Sequence, residues 1–174
     1  MRKRYKIISI SLVLGLNFIV SVCYGQSPEV SILKAQLDSV TNQLTILKSQ
    51  HQQLEANKKL VTDLYQELFG DKNIEAADKY IVENYIQHNP HAADGREALK
   101  EVLKVWFKNA PKEKIDIQHI GADGDFVYIH TKMKMGNKIN SVIDIFRIED
   151  NKVVEHWDVI QEVPEKSVNP HPMF

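Results

Sequence analysis

The apolar residues of this chain change their spacing once, at Pro111, and that change limits the folds open to it. Before Pro111 they recur every three or four residues, as on one face of an α-helix; after it they recur every second residue, as on one face of a strand. Val30, Leu33, Leu37, Val40, Leu44, Leu47, His51 and Leu54 form a heptad seam sustained over more than three repeats. Such a seam fits self-association through a short coiled coil, or an amphipathic helix that packs on its own domain. A second segment, with Leu60, Leu64, Leu68 and Phe69, stops at Gly70, a good helix C-terminal residue. Residues 74–81 read as a short helix. Residues 85–91 read as irregular, because Pro90 disfavours helical geometry at Asn89. A third helix runs from Asp94, its expected N-cap, to Lys108. Beyond Pro111, residues 115–120, 126–135, 139–148 and 153–161 read as strands separated by Gly, Asp and Asn turns. Helices followed by a strand meander indicate an α+β domain, with the helices gathered on one face of an antiparallel sheet.

The 174 residues have room for one domain of ordinary size and a modest appendage. A net charge of −1 provides no broad electrostatic footprint for nucleic acid, and no such partner is expected. The N-terminus carries Arg2, Lys3, Arg4 and Lys6, then an apolar run over residues 7–22 and the small-residue site Cys23-Tyr24-Gly25. That is the layout of a secretory signal peptide over residues 1–25, cleaved after Gly25, and it predicts an exported protein, periplasmic or secreted. A retained anchor is the rival, although the run falls short of the roughly 20 residues that span a bilayer; lipid modification of Cys23 is a third option. After cleavage no membrane span is expected, and the only cysteine would be gone.

Chemistry concentrates in residues 144–161, where two strand-like runs flank the turn-forming Glu149, Asp150, Asn151 and Lys152. Alternation places Asp144 in an apolar row with Val142, Phe146 and Ile148. On the return strand Val154, His156, Asp158 and Ile160 share a row. Burying a carboxylate among apolar groups raises its proton affinity towards the range useful for removing a proton next to a carbonyl, so Asp144 is the preferred base. His156 and Asp158 are its expected neighbours. His130 would orient the acid or donate to an enolate oxygen if the row Phe126, Tyr128, His130 faces the same way; its alternative role is an ordinary hydrogen bond in the core. His88 and Asn89 lie where loops commonly carry site residues, or simply form the Asn-Pro turn. Tyr85, Trp106, Tyr128 and Phe146 are candidates for an aromatic wall around a substrate, or for plain core.

His88, His91, His130, Asp144, His156 and Asp158 include enough donors for a metal, but no closely spaced ligand motif such as H-E-x-x-H is present, and none is expected. There is no G-x-G-x-x-G, no phosphate loop and no G-x-S-x-G.

The motifs Y-I-Q-H-N-P, D-G-R-E-A, D-G-D-F-V-Y-I-H, D-I-F-R and E-H-W-D-V-I-Q, in this order, resemble the SnoaL-like proteins of the nuclear transport factor 2-like superfamily. The resemblance is nearest to the group described as predicted SnoaL-like aldol-condensation enzymes, and it runs from about Leu60 to Phe174. It implies a cone-shaped α+β fold, with three helices packed on a curved antiparallel sheet. The layout is then a signal peptide at 1–25, a coiled-coil-like helix at 26–58 and a SnoaL-like domain at 59–174. In cyclases of this family an acid lining the cone acts as general acid and base without a cofactor. Carried over, that role falls to Asp144 of D-I-F-R or to His156 or Asp158 of E-H-W-D, with His88 at the mouth. The expectation is aldol condensation, cyclisation or isomerisation of a small hydrophobic carbonyl compound by a homodimer or higher homo-oligomer. A non-catalytic ligand-binding or oligomerisation module of the same fold is the alternative.

Overall fold

A computed structural model describes residues 27–174 of the chain, so the expected signal peptide lies outside the described residues. The chain divides into two compact units, the second spanning Ile46–Phe174. Helix α1 covers Pro28–Leu64 without interruption, through the expected segment boundary at residue 58, and passes into a π-helical turn at Tyr65–Gly70. Gly70 is required where it stands, because a Cβ there would lie 2.8 Å from the backbone oxygen of Glu113. No described helix is long and apolar enough to cross a membrane.

After a short helix α2 (Ala76–Tyr80) comes a strand that alternation alone did not reveal, β1 (Ile81–Gln87), then helix α3 (Arg96–Trp106). The expectation of irregular chain at residues 85–91 is thus corrected for its first half. β1 is an edge strand paired in parallel with β5 and irregular in register between Ile81 and Ile86, so its pattern is weak. α3 is capped differently from expectation as well. Gly95, at φ +94°, occupies the N-cap, while Asp94 Oδ1 accepts the backbone N–H of Gln87 at 2.7 Å. Asp94 therefore ties the helix entry to β1. Lys100 on α3 is buried and meets Glu75 at 2.9 Å and Asp78 at 3.0 Å, which pins α3 to α2.

The remaining strands are β2 (Asp116–Asp123), β3 (Phe126–Met135), β4 (Lys138–Glu149) and β5 (Lys152–Glu162). The curved, unclosed five-stranded sheet has the order β1-β5-β4-β3-β2, antiparallel except at β1. The β4–β5 turn is tight: Glu149 pairs with Lys152, and Asp150 and Asn151 both take positive φ, 49° and 58°, as a two-residue turn matched to sheet twist requires.

On the inner face Val127 and Ile129 of β3, Phe146 and Ile148 of β4 and Val153 of β5 join Val61, Leu64 and Leu68 of the helical segment in one buried cluster. The row expected on β5 needs a correction. A bulge breaks the register between Arg147 and Ile148, so Ile148 faces Val153 while Phe146 faces His156. One extra residue inverts the alternation. Val153 is consequently buried and Val154 is not, while His156, Asp158 and Ile160 keep a common face.

Candidate active site

Three strands meet at the site. β4 contributes Asp144, β5 contributes His156 and Asp158, and β1 contributes Tyr85 and Gln87. Asp144 stands directly opposite Asp158 across the β4–β5 ladder, and Phe146 opposite His156. His156 therefore lies diagonally from Asp144, and its Nε2 reaches Asp144 Oδ1 at 2.9 Å. Both residues are buried, at 5% and 8% exposure. The ring of His156 is sandwiched between aromatic neighbours, Phe146 at 4.8 Å and Tyr85 at 6.4 Å.

Gln87 fixes the protonation pattern of this pair. Its Oε1 accepts the backbone N–H of Asn89 at 2.9 Å, which settles the amide orientation because a backbone N–H can only donate. The same oxygen lies 2.9 Å from His156 Nδ1, so that nitrogen must carry a hydrogen and donate. The contact between His156 Nε2 and Asp144 Oδ1 then holds a single proton. Either the carboxyl is neutral and donates to a neutral imidazole, or a carboxylate accepts from an imidazolium.

Asp144 Oδ2 is buried and has no hydrogen-bond partner of good geometry in the protein, and neither has Thr131 Oγ1. Thr131 belongs to the buried row of β3 with Val127 and Ile129, so both orphaned atoms belong to the inner face. Unsatisfied buried polar atoms are rare and call for a cause. The phenol of Tyr65, at the start of the π-helical turn, is held protonated well above its ordinary range, by burial first, then by the charge of Asp144 and by hydrogen bonding towards that carboxyl. Tyr65 is thus the group facing Asp144, although no contact meets full hydrogen-bond geometry at Oδ2. Burial, then the charges of Asp144 and Asp158, raise the Tyr85 phenol in the same direction. Gln87 Nε2 donates to the Tyr85 oxygen at 3.1 Å, leaving the Tyr85 proton available for another acceptor. Asn89 Nδ2 donates to Asp158 Oδ2 at 2.6 Å.

Other candidates fall elsewhere. His130 lies on the outer face, where its Nδ1 is 3.0 Å from His119 Nδ1 and its Nε2 is 2.8 Å from Ser141 Oγ. The row Phe126, Tyr128, His130 points away from Asp144, because Val127, Ile129 and Thr131 are the buried set on β3. The C-terminal Phe174 stacks on His130 at 5.9 Å. His88 is also turned outwards, with Nε2 2.8 Å from Glu155 Oε1 and its ring 4.5 Å from Trp157. Trp106 is 61% exposed and Tyr128 42%, so neither walls the site, whereas Tyr85 and Phe146 do. Two surface depressions, of about 310 and 360 Å³, are lined respectively by residues such as Val82, Ile86 and Val154 and by residues such as Leu60, Asp63 and Tyr80, not by Asp144 or His156.

Among the described residues, the potential metal donors brought together are Asp144, His156 and Asp158, with one ligand atom of each within 4.8 Å of the others. His156 Nε2 is committed to Asp144 and its Nδ1 to Gln87, so a metal would have to take Nε2 from the carboxylate. Tyr65 and Gln87 were not expected at the site. Gln87 lies in the stretch expected to be irregular, whereas strand β1 places it on one face with Tyr85. Tyr65 lies between Leu64 and Leu68 of the second amphipathic segment, where nothing local sets it apart.

The sequence model for SnoaL-like polyketide cyclases matches residues 59–166. No curated protein matches the chain. Among solved structures, a candidate polyketide cyclase from Acidithiobacillus ferrooxidans is similar at 25% identity, over 60% of this chain and 87% of that one, with a TM-score of 0.52. A candidate ketosteroid isomerase from Kribbella flavida shares the fold at 15% identity, over 67% and 85% of the two chains, with a TM-score of 0.54. An epoxide hydrolase of Mycobacterium tuberculosis does so at 15% identity, over 63% and 85%, with a TM-score of 0.50. The matched span covers more than half of the sequence, and the chain belongs to the SnoaL-like polyketide cyclase family.

Proposed function

We propose that this protein is a cofactor-independent acid–base catalyst acting on a small apolar carbonyl compound, by aldol condensation, cyclisation or isomerisation. The observation that carries the reading is the orphaned Oδ2 of Asp144, buried beside a one-proton couple with His156. In this scheme Oδ2 removes the proton next to the substrate carbonyl. The electron pair of the broken C–H bond passes to the carbonyl oxygen, and the Tyr65 and Tyr85 phenols, both held protonated, donate to the developing enolate. His156 compensates the changing charge of Asp144 through their shared proton, and Gln87 keeps the imidazole in the required tautomer. Returning the proton to a different carbon is isomerisation; attack of the enolate carbon on a second carbonyl is aldol closure. Asp158, held by Asn89, stands opposite Asp144 on the same face of the sheet. The protein works after export and removal of residues 1–25, as a homo-oligomer.

The competing reading is a ligand-binding module, favoured by the burial of Asp144 and His156 away from the surface depressions. Exchange of α-hydrogens of small ketones in deuterated water, followed by proton NMR, separates the two. Exchange accelerated by the wild type and not by Asp144→Asn supports catalysis; saturable ketone binding without exchange by the wild type supports the module and sinks the proposal.

A further inference from the structure

Helix α1 carries an apolar seam that nothing among the described residues covers. Val30, Leu33, Leu37, Val40, Leu44 and Leu47 are 49, 64, 65, 61, 50 and 62% exposed. Apolar side chains scattered singly on a surface need no explanation, but a row at alternating spacings of three and four does. With Val30 in heptad position a, the a positions are Val30, Leu37, Leu44 and His51, and the d positions are Leu33, Val40, Leu47 and Leu54. The same count, continued without a break, puts Val61 at d, Tyr65 at a and Leu68 at d. Those three are buried in the core of the domain, at 0, 2 and 1% exposure. One register thus serves a covered stretch and a bare one.

We infer that a second copy of this chain covers the bare stretch, as a parallel, in-register, two-stranded coiled coil over residues 30–54. The residues flanking the seam select this occupant and its orientation. Position g carries Glu29, Gln36, Gln43 and Gln50; position e carries Lys34, Thr41, Lys48 and Glu55. In a parallel pair each g residue meets the e residue five places on in the other copy. Glu29 then faces the partner's Lys34, Gln36 the partner's Thr41, Gln43 the partner's Lys48 and Gln50 the partner's Glu55. One pair attracts and no like charges meet. In a fully overlapped antiparallel pair the e rows face each other along one flank and the g rows along the other, so Lys34 meets the partner's Lys48 twice on the same flank. Within residues 30–54 His51 is the one polar a residue; in the parallel pair it faces its own copy, and a lone polar a layer fixes register and strand number.

The test is site-specific crosslinking of the full chain, purified as the producing cell processes it, in a Cys23→Ser background. Leu44→Cys occupies an a position and Asn42→Cys the outward f position two residues away. Mild oxidation should convert Leu44→Cys, and not Asn42→Cys, into a covalent dimer. Absence of that dimer, or equal crosslinking at both positions, overturns the proposal; crosslinking only between mixed Val40→Cys and Leu44→Cys chains would overturn the parallel arrangement. Analytical ultracentrifugation of Leu37→Lys/Leu44→Lys should show self-association through this helix weakened by at least about tenfold. Unchanged association with the helix content retained would also overturn it, and a trimer in the unmutated chain would refute two strands. A dimer formed through the sheet instead would leave the Leu44→Cys crosslink absent.

Discussion

Asp144 and Asp158 stand directly opposite each other on β4 and β5, on the same face of the sheet. Like charges in that position repel, and the arrangement is offset by two neighbours: His156, 2.9 Å from Asp144, and Asn89, 2.6 Å from Asp158. Each acid has its own polar partner, and the two partners are linked through Gln87, which accepts from both His156 and the Asn89 backbone.

Replacing Asp144 should separate stability from activity. In Asp144→Asn the new amide donates to His156 Nε2, which Gln87 leaves as an acceptor, so thermal unfolding should show a loss below about 1 kcal/mol. Asp144→Ala leaves Nε2 of the buried imidazole unpaired and should cost about 1–3 kcal/mol. Proton exchange on a carbonyl substrate should fall about 10²- to 10⁴-fold in both. A loss of several kcal/mol in the Asn variant would make Asp144 a structural ion-pair member instead.

Gln87→Leu should free His156 to adopt the other tautomer. Nitrogen-15 NMR of the His156 ring should show hydrogen on Nδ1 in the wild type and a shift of the tautomer balance in the variant. Turnover should drop by about tenfold to a hundredfold through misorientation, with the fold retained. An unchanged ring spectrum would remove Gln87 from its positioning role.

His130→Gln should leave turnover within about threefold of wild type, as expected for a change on the outer face far from the chemistry. Steady-state kinetics beside Asp144→Asn checks this. A loss comparable with that of Asp144→Asn would mean that the outer histidines His119 and His130 do communicate with the site.

Acid should weaken the contacts of Glu155 in a defined direction. His88 first, and then Arg147, hold its carboxyl below the ordinary value of 4.5. A depressed carboxylate stabilises the fold above its unfolded value, and that contribution is lost as pH falls through the lower folded value. The melting temperature of Glu155→Gln should therefore lie below wild type near neutral pH, and the gap should close as pH falls below about 4. A gap that stays constant with pH would assign the effect to packing rather than charge.

Much of this architecture was legible from local spacing. The change of period at Pro111, the two-residue turn at Asp150 and Asn151, and the common row of Asp144 and Phe146 all follow from rules that act within a few residues. The family follows from motifs that sit on those elements. Three features came only from the tertiary structure. β1 is short and irregular, and its pairing partner β5 lies some 70 positions away in sequence, as in Gln87 with His156, so nothing local marks it. The bulge that buries Val153 instead of Val154 depends on how β4 and β5 register. The inward face of β3, which excludes His130 and admits Thr131, is set by which side the helices cover. Alternation along a strand divides residues into two sets, but a strand by itself has no inside; packing against α3 and the end of α1 supplies it, and with it the choice of which acids and histidines meet.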